Sequence, residues 1–141
     1  MQIIKILEAG IAGGILLFAV MIFTGFVANA FVPYNIFDIP GMRPAGDPVS
    51  VLFFLYPFVI SFASAILFDL LNPVLSGGIG RRGVIFGTLL VILITIPNQF
   101  VIYTSMYYPS GFYLSNILNG LIGFPLFGML CAWIFGVSGL E

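Results

Sequence analysis

Four long apolar stretches, at about 10–32, 49–71, 83–107 and 113–137, leave little room for any other reading of this chain's fold. Each is close to the roughly 20 residues an α-helix needs to cross a bilayer core of about 30 Å. In lipid, every backbone N–H and C=O must find a partner within the protein, so such stretches fold as helices. Charge agrees: four basic and five acidic residues make up 6% of the 141, against roughly 25% in soluble domains. So few charges cannot clothe a water-facing surface. The expected fold is an all-α membrane domain, an antiparallel up-down bundle with transmembrane helices at about 9–32, 49–71, 83–107 and 113–137. The outer loop 33–48 is too short for a core of its own, so residues 1–141 are expected to form one domain.

Breakers set the boundaries. Pro33 stops the first helix, and Pro40, Pro44 and Pro48 with Gly41 and Gly46 stiffen and turn the outer loop. Asn72-Pro73 ends the second helix. Gly77, Gly78 and Gly80 lead into Arg81-Arg82 and the third, and Tyr108-Pro109-Ser110-Gly111 makes a tight turn before the fourth. Lys5, Arg81 and Arg82 fall on one side and Arg43 on the other. The excess of positive charge places both termini in the cytoplasm. Tyr34, Tyr103, Tyr107, Tyr108 and Tyr113 gather at the outer interface and Trp133 at the inner one. Lys5 before an apolar run, with Ala28-Asn29-Ala30 after it, has the outline of a secretory signal. The run 11–27 exceeds the roughly 7–15 residues of a signal core, so a retained helix is expected. A multi-pass protein of a prokaryotic plasma membrane follows. Leu140-Glu141 has the form of a cloning-derived tail and carries no argument.

Chemistry is sparse. There is no histidine, and the single cysteine, Cys131, lies inside an apolar helix, where it cannot form an internal disulfide or a CxxC relay. A net charge of −1 offers no basic face to nucleic acid. No catalytic set, metal site or cofactor is expected.

The informative residues are the polar ones inside apolar helices. Pro97 removes a donor, frees the carbonyl of Leu93 and kinks the third helix. Asn98 and Gln99 follow it, and Thr88, Thr95 and one of these amides share a face. Asn116 and Asn119 lie in the outer half of the fourth helix and Asn29 in that of the first. Unpartnered polar groups are costly in lipid, so Asn29, Thr95, Asn98, Gln99, Asn116 and Asn119 are expected to meet inside the bundle. They would form either a polar pocket for a neutral or dipolar ligand, or interhelical hydrogen bonds worth about 0.6–2 kcal/mol each. No charge sits at the membrane centre, which argues against proton coupling.

Charged residues cluster near the ends. Asp69 is expected to pair with Arg81 or Arg82 at headgroup level, the alternative being a proton or cation site. Lys5 and Glu8 are expected to form a weak surface pair. In the outer loop, Asp38, Arg43 and Asp47 suggest ion pairing, such as Arg43 with Asp47, or a recognition surface. Small residues at four-residue spacing (Gly10 and Gly14, Ala9 and Gly13, Ser61 and Ala65, then Gly128, Ala132 and Gly136) suit close helix packing within the chain, or a homodimer seam.

The order Met42-Arg43-Pro44-x-x-Asp47-Pro48, an aromatic-rich helix ending in Asp69, an Arg82-Gly83-x-x-x-Gly87 start and an Ile96-Pro97 break resembles a family of small prokaryotic four-helix integral membrane proteins. The resemblance covers most of the chain and implies the fold, with no activity attached. Function is then expected from what is present: a non-enzymatic accessory or scaffold component in the lipid bilayer, as a homodimer or in a larger membrane complex. The alternative is a dimeric small-molecule transporter or channel-like protein with its pocket around the helix-three proline. An enzyme acting on lipid would need Asp69 or Cys131 in a lipid-open cavity beside a second polar group.

Overall fold

Runs of Ile, Leu, Val, Phe and Ala with few breakers fold here into four helices long and apolar enough to cross a membrane. The computed structural model describes residues 1–136: α1 is Ile3–Phe31, α2 Pro48–Leu71, α3 Ile79–Ser105 and α4 Ser110–Gly136. No strand occurs among the described residues. The expected helix end at Val137 and the Leu140-Glu141 tail lie outside them. α1 begins before residue 9 and α3 before residue 83. Lys5, Glu8, Arg81 and Arg82 end a hydrophobic run but are good helix formers, so the helices continue through them.

Two of the helices are composite. α2 opens as a 3-10 helix, Pro48–Leu55, and becomes α-helical over Tyr56–Leu71, with Pro57 just inside the junction. Asp47 caps its start: its Oδ1 accepts the Val49 N–H at 2.9 Å. α3 is α-helical over Ile79–Leu90, widens to a π-turn at Val91–Thr95, and resumes as Ile96–Ser105. The Ile96 N–H bonds the Val91 carbonyl. The disturbance expected at Pro97 thus falls one turn earlier, as a π-turn that takes up the register where proline has no donor.

α1 packs against α2 and α4, and α3 packs against α4, giving the lateral order α2, α1, α4, α3. Small residues set these contacts. Gly10 and Gly14 lie under the rings of Phe62 and Phe58. Ser61 fits beside Gly13 and donates to the carbonyls of Ala9 (3.2 Å) and Gly10 (2.9 Å). Between α3 and α4 the backbones themselves touch: Gly83 faces Met129, Gly87 faces Pro125, and Gly128 faces the Gly83 carbonyl. Ala132 is fully buried, and Gly136 lies beside the Arg82 guanidinium. The small-residue stripes are therefore occupied within the chain.

One end is densely packed. Phe68, Phe86, Phe127, Leu90 and Cys131 are fully buried there. Phe68 meets Phe86 edge-on at 4.9 Å between centroids and Phe135 at 5.2 Å. The start of α1, the end of α2, the start of α3 and the end of α4 all converge at this end, so sequential helices run antiparallel. Lys5 Nζ donates to the Phe135 carbonyl at 3.1 Å, and the Gln2 N–H donates to Asp69 Oδ2 at 3.2 Å.

These bonds correct two expected pairs. Asp69 forms no ion pair with Arg81 or Arg82. It caps the start of α1, where the first N–H groups lack partners and the helix dipole favours an anion. Arg82 instead donates to Asn72 Oδ1 and lies over the Phe68 ring, while Arg81 is exposed. Lys5 turns away from Glu8 to the carbonyl end of α4, where the dipole favours a cation.

A polar-floored cavity as candidate functional site

At the opposite end the bundle is open. Neither Pro48–Leu55 of α2 nor Ile96–Ser105 of α3 contributes a buried residue. Both segments follow or precede a break in regular helix, at Tyr56-Pro57 and at the π-turn before Pro97, and beyond those breaks they leave the packed core. Phe54 touches Phe18 of α1 edge-on at 6.1 Å. Between these halves lies a chamber of about 860 Å³, and Tyr56, Ile94, Asn98, Asn116 and Asn119 line both it and a small neighbouring recess of about 60 Å³. The recess has room for about two waters.

The sequence-expected polar residues gather here. Thr95, Asn98, Gln99, Asn116 and Asn119 all line the recess, and Asn98, Asn116 and Asn119 also line the chamber, as does Pro97. Thr95 is buried and tucks against Gly120, where any Cβ would strike its hydroxyl. Gln99 Oε1 and Asn119 Oδ1 are buried and have no hydrogen-bond partner. A buried, unpaired acceptor costs about 1–3 kcal/mol. Asn29 stands apart. It lines the chamber rim, but its Nδ2 is engaged with the Tyr34 carbonyl at 2.9 Å, closing the end of α1.

No charged side chain lines either compartment. The recess takes its apolar walls from Leu17, Pro57, Ile60 and Phe124, and the chamber takes its own from Ile22, Phe53, Phe54, Leu93 and Ile102. Tyr56 lines both compartments and Ser115 the chamber, and sequence reasoning missed them. Tyr56 carried a usable signal: a phenol set inside an apolar run brings a hydroxyl that seeks a polar partner. Gly120 carried none, since its role is steric and depends on Thr95 from another helix.

The remaining candidates lie elsewhere. Arg43 Nη1 pairs with Asp47 Oδ2 at 2.8 Å on the loop surface. Asp38 ends the short 3-10 turn Ile36–Asp38 and joins no ion pair among the described residues. Asp69 and Cys131 belong to the packed end and line neither compartment. No protein-family model matches this chain, and neither does any curated protein or solved structure.

Proposed function

We propose that this is a multi-pass membrane protein, with both termini cytoplasmic, that binds a small uncharged molecule in the cavity between α2 and α3 and acts as a small-molecule carrier. One observation bears most of the weight: Gln99 and Asn119, which line a recess with no charged side chain, each hold a buried amide oxygen without a hydrogen-bond partner. Side-chain amides offer both donors and an acceptor, so a neutral hydrogen-bonding ligand suits them, and an ion has no counter-charge. The orientation rests on Lys5, Arg81 and Arg82 at the packed end and Arg43 at the other.

Phe68, Phe86, Phe127 and Phe135 plug the packed end, which favours a one-sided binding site over an open channel. The cavity lies within one chain, so binding requires no second copy. The accessory or scaffold role expected from the sequence rests on the missing catalytic set and on the small-residue stripes. Gly10, Gly14 and Gly128 are already filled by the chain's own helices, which weakens its support. The test is thiol accessibility in intact membranes. With Cys131→Ala as background, single cysteines at Asn98, Gln99, Asn116 and Asn119 are probed from each side with an impermeant reagent. Labelling from outside, fastest at the exposed position 98, is the expected result. No labelling from either side would mean a dry, structural cluster and would sink the carrier reading.

A further inference from the structure

We propose that the occupant is an uncharged amphiphile, a lipid-like molecule with a hydroxyl or amide head, that enters sideways from the bilayer through the gap between α2 and α3. This rests on the binding role proposed above and adds the ligand's class and its route.

The route follows from what covers the chamber. On the loop side, Tyr34, Asn35, Ile36 and Phe112 line it as a roof, and Tyr34 meets Phe112 edge-on at 6.4 Å. The side between α2 and α3 has no such cover. These two helices meet at the packed end, where Phe68 lies against Phe86 and Arg82 reaches Asn72, and no residue of their wide-end halves is buried as a whole. In a chain spanning the bilayer, that gap opens sideways toward lipid.

The ligand's class follows from depth and polarity. Gly120, on the recess wall, lies ten residues into α4 from Ser110. At 1.5 Å per residue that is about 15 Å, the middle of a core about 30 Å thick. A head carried to that depth must be uncharged, because an ion there loses its hydration and finds no opposite charge. Arg43 is held by Asp47, and Lys5 and Arg82 are bonded at the packed end. The free oxygens on Gln99 and Asn119 call for O–H or N–H donors, and the Phe53, Phe54, Leu93 and Ile102 walls of the adjoining chamber suit hydrocarbon. The chamber of about 860 Å³ falls in the usual range for ligand sites, roughly 300–1,000 Å³.

Photo-crosslinking of the full chain in lipid nanodiscs tests this. The probes are a diazirine-tagged monoacylglycerol and an alkyl sulfonate of the same chain length bearing the same tag. The monoacylglycerol is expected to label peptides containing Phe53–Phe54 and Leu93 about tenfold more than the sulfonate. Labelling should fall about tenfold in Asn119→Leu combined with Gln99→Met, the scale of one or two lost hydrogen bonds. Monodisperse elution shows the variant to be folded, and Asn119→Leu alone serves if the pair is not. Excess glycerol should leave the labelling unchanged. Equal labelling by both probes, or labelling indifferent to the substitutions, would overturn the proposal by reducing the chamber to a greasy surface groove. If glycerol protects a cysteine at position 98 while no lipid probe labels the chain, the ligand is water-borne. The amphiphile idea then fails while the carrier reading stands. If position 98 is also unreactive, both fall.

Discussion

Asn119→Leu should make this protein more stable, against the usual direction for a substitution inside a helical bundle. The reasoning starts from Oδ1, buried and without a partner. Removing an unpaired buried acceptor recovers its desolvation penalty, about 1–3 kcal/mol, provided the replacement fills the same space. Leucine branches at the same carbon as asparagine and is bulkier, the added volume going toward the recess that Asn119 lines, and Leu17 and Val20 already stand near this part of α4, packed toward Gly123. The gain belongs at the low end of that range, since Asn119 is only half-buried and its cavity admits water. About 1 kcal/mol is expected, a rise of roughly 2–4 °C in the unfolding midpoint for a chain of this size. Reversible unfolding in mixed micelles of mild detergent and SDS, followed by circular dichroism, measures it. Asn29→Leu is the control: it breaks the bond to the Tyr34 carbonyl and should cost about 0.5–1.5 kcal/mol. If Asn119→Leu instead destabilises by 1 kcal/mol or more, the oxygen is holding helices together, and the site described above is structural.

Three further outcomes are expected from the same assay. Gly128→Ala drives a Cβ into the Gly83 carbonyl, which cannot rotate away, and should cost at least about 1–3 kcal/mol. Gly46→Ala, with open space around it, should stay within about 0.5 kcal/mol of the parent, and a comparable loss at both positions would refute the close α3–α4 crossing. Ser61→Ala removes the hydroxyl that joins α2 to the Ala9 and Gly10 carbonyls and should cost about 0.6–2 kcal/mol; no change would mean the contact holds by shape alone. Asp47→Ala loses a helix cap and an exposed ion pair together, about 1 kcal/mol. Because the pair contributes little, Arg43→Ala should cost far less, and equal losses would show that the ion pair, not the cap, matters.

The four helices were legible because length and apolarity alone specify them. The gathering of Thr95, Asn98, Gln99, Asn116 and Asn119 was legible for a related reason: amides scattered through apolar helices have few places to go except inward. What hid the rest is that lipid-facing and core-facing positions read alike. Phe86 is fully buried and Phe100 mostly exposed, yet both are phenylalanines in one apolar helix. Without an amphipathic contrast, nothing in the sequence shows that α2 and α3 part company beyond Pro57 and Pro97. The partners of Asp69 and Lys5 were hidden differently. Their nearest charges in sequence, Arg81, Arg82 and Glu8, lost to helix ends, which carry no formal charge and leave no mark in a string of residues.

The lateral order α2, α1, α4, α3 has a consequence for how the chain assembles as it is made. α1 and α2 emerge first and pair at once through Ser61, Gly10 and Gly14. α3 emerges next and can meet only the end of α2, through Phe86 and Arg82, because the face holding Gly83 and Gly87 fits α4 alone. Until the last helix arrives, the segment carrying Pro97, Asn98 and Gln99 waits in the bilayer, or at the insertion machinery, with its amides unaccompanied. The fourth helix is thus the keystone of biosynthesis. A nascent chain stopped at Ser105 should hold a formed α1–α2 hairpin beside an unanchored α3, which crosslinking to the translocation channel would reveal as prolonged retention.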